Sequence, residues 1–246
     1  MNINCDLGEN VDGLGVELDA QLMPFIDQAN IACGFHAGNA WLASKVLDLA
    51  AKHSVMIGAH PSYPDRKNFG RKSMRLRSKE LIAHLHYQIG GLDALAKGKG
   101  LELSYVKPHG ALYNDMIVDA DLRNTVMRAI ASYSNELALM ILSTSAYEEH
   151  QAEADKVGIK LLAEAFADRC YDDEGYLLSR DHADAVHDEP AMLAQVRQLV
   201  EKRSVSTRSG KELFLVVDSV CLHGDNPAAI NAIARISEIV HKRLEA

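Results

Sequence analysis

Four histidines stand beside glycine or proline in short polar segments: Gly34-Phe35-His36-Ala37-Gly38, Ala59-His60-Pro61, Lys107-Pro108-His109-Gly110 and Leu222-His223-Gly224-Asp225. Acidic groups hold similar places in Cys5-Asp6-Leu7-Gly8-Glu9 and Ala167-Asp168-Arg169. Imidazoles and carboxylates together support two chemistries. One is ligation of a divalent metal that activates water, with Asp6, His36, His60 and His109 as candidate ligands. The other is metal-free acid–base work, with a lysine or arginine steadying an oxyanion. The sequence has no H-E-x-x-H, no G-x-S-x-G and no Walker loop, which disfavours a zincin, a serine hydrolase and an autonomous P-loop ATPase. Hydrolysis by activated water is what remains. A lone histidine is ordinarily a packing or surface residue with its hydrogen bonds satisfied. Four in corresponding places are poorly explained that way. His53, His84, His86, His150, His182, His187 and His241 fall in helical or loop patterns and are assigned no chemistry.

Each polar segment closes or follows a short apolar run. Strands are expected at Asn2–Cys5, Gln28–Cys33, Val55–Ala59, Leu103–Val106, Leu137–Leu142, Ile159–Glu164 and Leu213–Val217. Between them lie helical stripes such as Leu42/Val46/Leu49/Ala50, Leu81/Leu85/Ile89/Leu92 and Leu122/Val126/Met127/Ile130, with others at Ala191–Val200 and Ile230–Val240. Ser78 reads as the cap of the second stripe. Such alternation implies parallel strands joined by right-handed crossovers. About seven units favour a barrel over an open sheet. No G-x-G-x-x-G follows the first run, which further disfavours a dinucleotide-binding sheet. The expectation is one α/β domain over residues 1–246, a TIM-like (β/α)7-type barrel. An irregular loop near 168–191, with a small hairpin at Asp172–Leu178, is expected at its rim. All C-terminal strand ends of a barrel share one face, so Asp6, His36, His60, His109, Asp168 and His223 should meet at one mouth. A basic loop of Arg66, Lys67, Arg71 and Lys72 follows the third strand and suits a carboxylate or phosphate, or is simply solvated.

Composition narrows the function classes. The 246 residues carry 26 basic and 34 acidic side chains, a formal charge of −8, so a generic nucleic-acid or anionic-membrane surface is not expected. There is no run of apolar residues long enough for a spanning helix and no visible secretory signal. Cys5, Cys33, Cys170 and Cys221 are widely spaced, which excludes a zinc ribbon and reads as free thiols in a reducing cytoplasm.

The same strand-end segments carry a family likeness. Asn4-Cys5-Asp6-Leu7-Gly8-Glu9, Ala29-Asn30-Ile31-Ala32-Cys33-Gly34-Phe35-His36-Ala37-Gly38, Val106-Lys107-Pro108-His109-Gly110-Ala111-Leu112-Tyr113-Asn114, Glu164-Ala165-Phe166-Ala167-Asp168-Arg169 and Cys221-Leu222-His223-Gly224-Asp225-Asn226 resemble the 5-oxoprolinase A-subunit family, also called the LamB/YcsF lactam-utilisation family. The likeness runs from the first strand to the last. It implies a barrel related in shape to sugar deacetylase barrels. It implies ATP-dependent opening of 5-oxoproline (pyroglutamate) to L-glutamate, with ATP as co-substrate and subunits B and C as partners. On this reading Asp6, Glu9, His36, His60 or His109 positions and deprotonates water. Lys107 and His223 stabilise developing charge or the leaving phosphate, and Arg71 or Arg169 holds the substrate carboxylate. Asn30, Asp168 and Asp225 complete the expected substrate contacts. The sequence departs from the family pattern at Lys72, where a second arginine is common, and more mildly at Gly91 and Cys170. Two further readings are a stand-alone metal-dependent deacetylase or amidohydrolase and a non-catalytic lactam-binding barrel.

Overall fold

The computed structural model describes residues 1–9, 15–223 and 227–241. In chain order its elements are β1 (Asn2–Leu7), α1 (Gly15–Leu22), β2 (Gln28–Ala32), α2 (Ala40–His53), β3 (Met56–His60), α3 (Ser78–Lys97), β4 (Leu103–Val106), α4 (Gly110–Val118) and α5 (Ala120–Tyr133). Then follow β5 (Ala138–Leu142), α6 (Tyr147–Val157), β6 (Leu161–Phe166), α7 (Glu189–Lys202), β7 (Ser204–Ser206), β8 (Glu212–Phe214), β9 (Ser219–Leu222) and α8 (Pro227–His241). Strands β1, β2, β3, β4, β5, β6 and β9 close into a barrel in that order. Every neighbouring pair is parallel, including the closing β9–β1 pair.

Local chemistry explains the helices. Asn39 caps α2 by accepting from Leu42 N–H at 2.9 Å, Asp119 caps α5 through Leu122 N–H at 3.0 Å, and Asp188 caps α7 through Ala191 N–H at 3.0 Å. The expected cap at Ser78 is not found. Ser78 is the first helical residue of α3, and Arg77 holds the cap position with no side-chain bond. The predicted stripes turn inward: Leu81, Leu85, Ile89 and Leu92 of α3 and Val126, Met127 and Ile130 of α5 are buried against the strands. Among the described residues no helix is long and apolar enough to cross a membrane.

Six of the seven expected strands match within a few residues; the seventh is a correction. Leu213–Val217 does not enter the barrel. Its first residues form β8, which pairs antiparallel with β7 in a separate hairpin, and Ser219–Leu222 closes the barrel instead. Burial gives the reason. From Leu213 to Val217 buried and exposed residues alternate, as on a ribbon with one wet face, whereas all four residues of β9 are buried. The stronger β-formers lie outside the barrel because a barrel strand must be covered on both faces. At the rim, Tyr171 and Leu177 form an antiparallel bridge around a turn at Asp172–Tyr176, as the expected hairpin requires.

The barrel interior carries a polar network. Side chains from β1, β2 and β4 meet there with Ser219 and Cys221 of β9 and Glu164 of β6, an encounter only the lumen permits. Tyr105 fills the space beside Gly58, where an added Cβ would lie 2.2 Å from its ring. Gly58 is therefore required by close approach and not by a turn.

Candidate functional site

The strand ends gather as the parallel topology demands. Asp6 ends β1 as the last but one residue, His60 ends β3, and Lys107 and His109 follow β4 directly. His36 and Glu9 sit on the loops after β2 and β1. The Asp6 carboxylate is held from three sides. Its Oδ1 accepts from Asn30 Nδ2 at 2.7 Å and from Lys107 Nζ at 2.8 Å, and its Oδ2 lies 3.3 Å from His60 Nε2. Burial alone would raise this carboxyl, but the His60 and Lys107 charges outweigh it and hold Asp6 well below the usual carboxylate range. By the same attraction Asp6 raises His60 and Lys107 against the opposite effect of their own burial.

Lys107 is the hub of the lumen. Besides Asp6 it contacts Glu164 Oε1 at 2.9 Å, outside hydrogen-bond geometry, and donates to Cys221 Sγ at 3.1 Å and Asn4 Oδ1 at 3.3 Å. Glu164 Oε2 accepts from Tyr113 at 2.6 Å. Asn30 is wholly engaged in this network: its amide serves Asn4 and Asp6, and its oxygen accepts from Tyr105 at 2.6 Å. It positions Asp6 and has no free polar group to offer a substrate.

Above Asp6, three imidazoles and Glu9 form a compact cluster. His36 and His109 stack with centroids 3.8 Å apart, and His60 meets both edge-on. Glu9 Oε1 lies 3.0 Å from His36 Nε2, 3.3 Å from His109 Nδ1 and 3.8 Å from His60 Nε2. Burial pushes His36 and His109 well below the usual histidine range, and the neighbouring His60 charge adds to it. The expected ligand set is thereby corrected in one member: Glu9, not Asp6, converges with the three histidines, since Asp6 is drawn down to Asn30 and Lys107. The turn after β3 fixes the cluster's height. Gly70 has φ +64°, and a Cβ on it would lie 2.9 Å from His36 Cβ and 3.0 Å from His109 Cδ2.

Asp168 and His223 form a second unit at the mouth. The Asp168 carboxylate takes the His223 Nδ1 proton at 2.9 Å, and the imidazole stacks on Phe166 at 5.5 Å. Burial would raise Asp168, but the His223 charge and hydrogen bond prevail and lower it. Asp168 is thus an orienter of His223 and, being buried, not the substrate contact that was expected. Arg169 borders the main cavity and also ties down the rim loop, donating from Nε to the Ala185 carbonyl and from Nη2 to that of Leu178.

A cavity of about 590 Å³ opens over this floor, lined by Asp6, His60, Lys107, His109 and Phe166, with Arg71 and Arg180 on its wall. Arg71 is exposed, with its guanidinium 4.9 Å from the Phe69 ring centroid. The expected contact Asp225 lies outside the described residues. Sequence reasoning missed Glu164, Tyr113 and Arg180. An acid inside the apolar run Leu161–Phe166 was the available signal for Glu164, because a buried carboxylate needs a partner. Arg180 carried no signal.

Comparison with known proteins agrees with this fold and gives its family. The model of the LamB/YcsF family matches residues 1–245. The second 5-oxoprolinase A-subunit of Pseudomonas putida is 44% identical over 237 residues, 96% of this chain and 92% of that one. The 5-oxoprolinase A-subunit of Vibrio cholerae is likewise 44% identical over 237 residues, 96% of each chain. The crystal structure of the lactam utilization protein from Thermus thermophilus superposes with a TM-score of 0.89 at 33% identity, covering 99% of this chain and 96% of that one.

Proposed function

The chain belongs to the LamB/YcsF family, and on that premise we propose that its barrel is the ring-opening component of an ATP-dependent 5-oxoprolinase. What carries the reading is one conjunction: relatives named as the A-subunit of 5-oxoprolinase match this chain over almost its whole length, and the floor of its cavity holds a buried acid–base array. A lactam carbonyl is a weak electrophile. ATP activates its oxygen as a phosphorylated imidate, and the nucleotide is handled by subunits B and C, since the sequence here has no Walker loop. Water then adds to the activated carbon. The C–N bond breaks as a proton reaches the ring nitrogen, and a second water releases phosphate to leave L-glutamate.

The residues divide this work by position. Asp6, lowered and hydrogen-bonded to Lys107, stays ionised and orients His60. His60 and His109 line the cavity and hold the attacking water in place. Lys107 sets a fixed positive charge below the reacting carbon. His223, oriented by Asp168, moves the proton to nitrogen. Arg71 and Arg180 on the cavity wall suit the substrate carboxylate.

Reconstitution tests this. The chain is combined with candidate B and C subunits, and glutamate release from 5-oxoproline is followed with and without ATP. Release should require ATP, and His223→Gln should lower kcat by roughly 10²–10⁴-fold, the range of a lost acid–base group. ATP-independent release, or a full rate in His223→Gln, would overturn the assignment.

A further inference from the structure

We infer that Glu9, His36, His60 and His109 form a binding site for a first-row divalent cation, with zinc as the leading ion. Donor geometry alone assigns the site, whether or not the lactam reading holds.

Two carbonyl groups set the orientation of the rings. His60 Nδ1 is 2.7 Å from the Lys107 carbonyl oxygen, and His109 Nε2 is 2.9 Å from that of Phe69. A carbonyl oxygen can only accept, so both nitrogens carry their protons there. The remaining nitrogens, His60 Nε2 and His109 Nδ1, therefore face each other as lone pairs when the rings are neutral, 2.9 Å apart. Glu9 Oε1 faces the same point and adds only acceptors. His36 Nε2 joins it at 3.0 Å, while the other ring nitrogen of His36 is buried with no partner. One proton can bridge one of these contacts. A cation at the centre meets all four.

The spacing fits. A tetrahedral ion bound at 2.0–2.1 Å holds its donors about 3.3 Å apart. The four measured separations to Glu9 Oε1 and between His60 and His109 are 3.0, 3.8, 3.3 and 2.9 Å. All four donor atoms lie within 4.8 Å of one another. The ring-to-carbonyl bonds on His60 and His109 are what orients ligating imidazoles in such sites. Imidazole with one carboxylate selects zinc, cobalt, manganese or nickel over magnesium or calcium. His60 and His109 line the cavity, so the ion would lie at its floor.

The test uses the full chain, stripped with chelator and titrated with Zn2+ by calorimetry and with Co2+ by visible absorption. One equivalent should bind with the d–d bands of a low-coordinate Co2+ site, and Zn2+ should raise the thermal midpoint. Glu9→Gln and His36→Ala should each weaken Zn2+ binding on the order of 100-fold and abolish the midpoint shift. His53→Ala, at the end of α2, should change neither. Circular dichroism checks that the variants fold. Absence of stoichiometric binding, or binding that both ligand variants retain, would overturn the site and leave the cluster joined by protons alone.

Discussion

Lys107→Met is the perturbation whose size the structure sets most directly. The ammonium stands 2.8 Å from Asp6 Oδ1 and 2.9 Å from Glu164 Oε1, with all three side chains at most 8% exposed. At an effective dielectric of about 20 each contact is worth roughly 6 kcal/mol before the cost of burying the ions. That cost cancels most of the gain while the cluster is whole. Methionine is close to lysine in volume but carries no charge. It leaves the Glu164 carboxylate in the lumen without its counter-charge and Asp6 with His60 alone. Breaking a buried pair in this way costs about 3–5 kcal/mol. For a chain of this size that lowers the thermal midpoint by roughly 6–20 °C. Urea unfolding followed by far-ultraviolet dichroism should show a lower midpoint with an unchanged slope. Lys107→Met/Glu164→Gln should recover part of the loss, because the stranded carboxylate is gone. A single variant within about 1 kcal/mol of the parent, or a double variant no more stable than the single, would refute the view that Lys107 neutralises the lumen.

Two other perturbations follow from measured contacts. Gly70→Ala places a residue at φ +64° and a methyl within 2.9 Å of His36 and 3.0 Å of His109. Strain and overpacking together should cost about 2–4 kcal/mol in chemical unfolding, and a parent-like unfolding curve would show that the turn yields freely. Asp19 accepts from Gly8 N–H at 3.0 Å, and burial pushes its carboxyl up to about 7. Between its unfolded value of about 3.9 and that of the folded chain, the native state holds a proton the unfolded state lacks. Stability from this group is therefore present at low pH, declines as pH rises through that window, and is fully lost above about 7, by up to roughly 4 kcal/mol. Asp19→Asn should gain on the parent progressively from pH 4 to pH 8 in urea unfolding; a difference independent of pH would refute the account.

Much of the fold was legible because the barrel repeats a simple unit. Apolar runs, helical stripes and strand-end glycines each announced a βα step, and six of seven strands were placed from them. The seventh failed because β-propensity does not report how many faces are covered: Leu213–Val217 is rich in β-formers but wets one face, while Ser219–Leu222 is modest in sequence and buried throughout. The site was legible by residue type and less so by role. Asp6, His36, His60, His109 and His223 do gather. Asn30 and Asp168 proved to be occupied with other protein groups, which no spacing in the chain could show.

Sequence alone determined which chemistry was available: histidines and carboxylates at the ends of parallel strands, with a net negative charge and no Walker loop. Tertiary structure decided the pairing. Asp6 and Glu9 are three residues apart, yet one descends to Lys107 and the other rises to three imidazoles. That division depends on which donor lies nearest which oxygen in a closed lumen. Such distances are set by strand register and barrel closure, contacts between residues up to 217 positions apart in the chain.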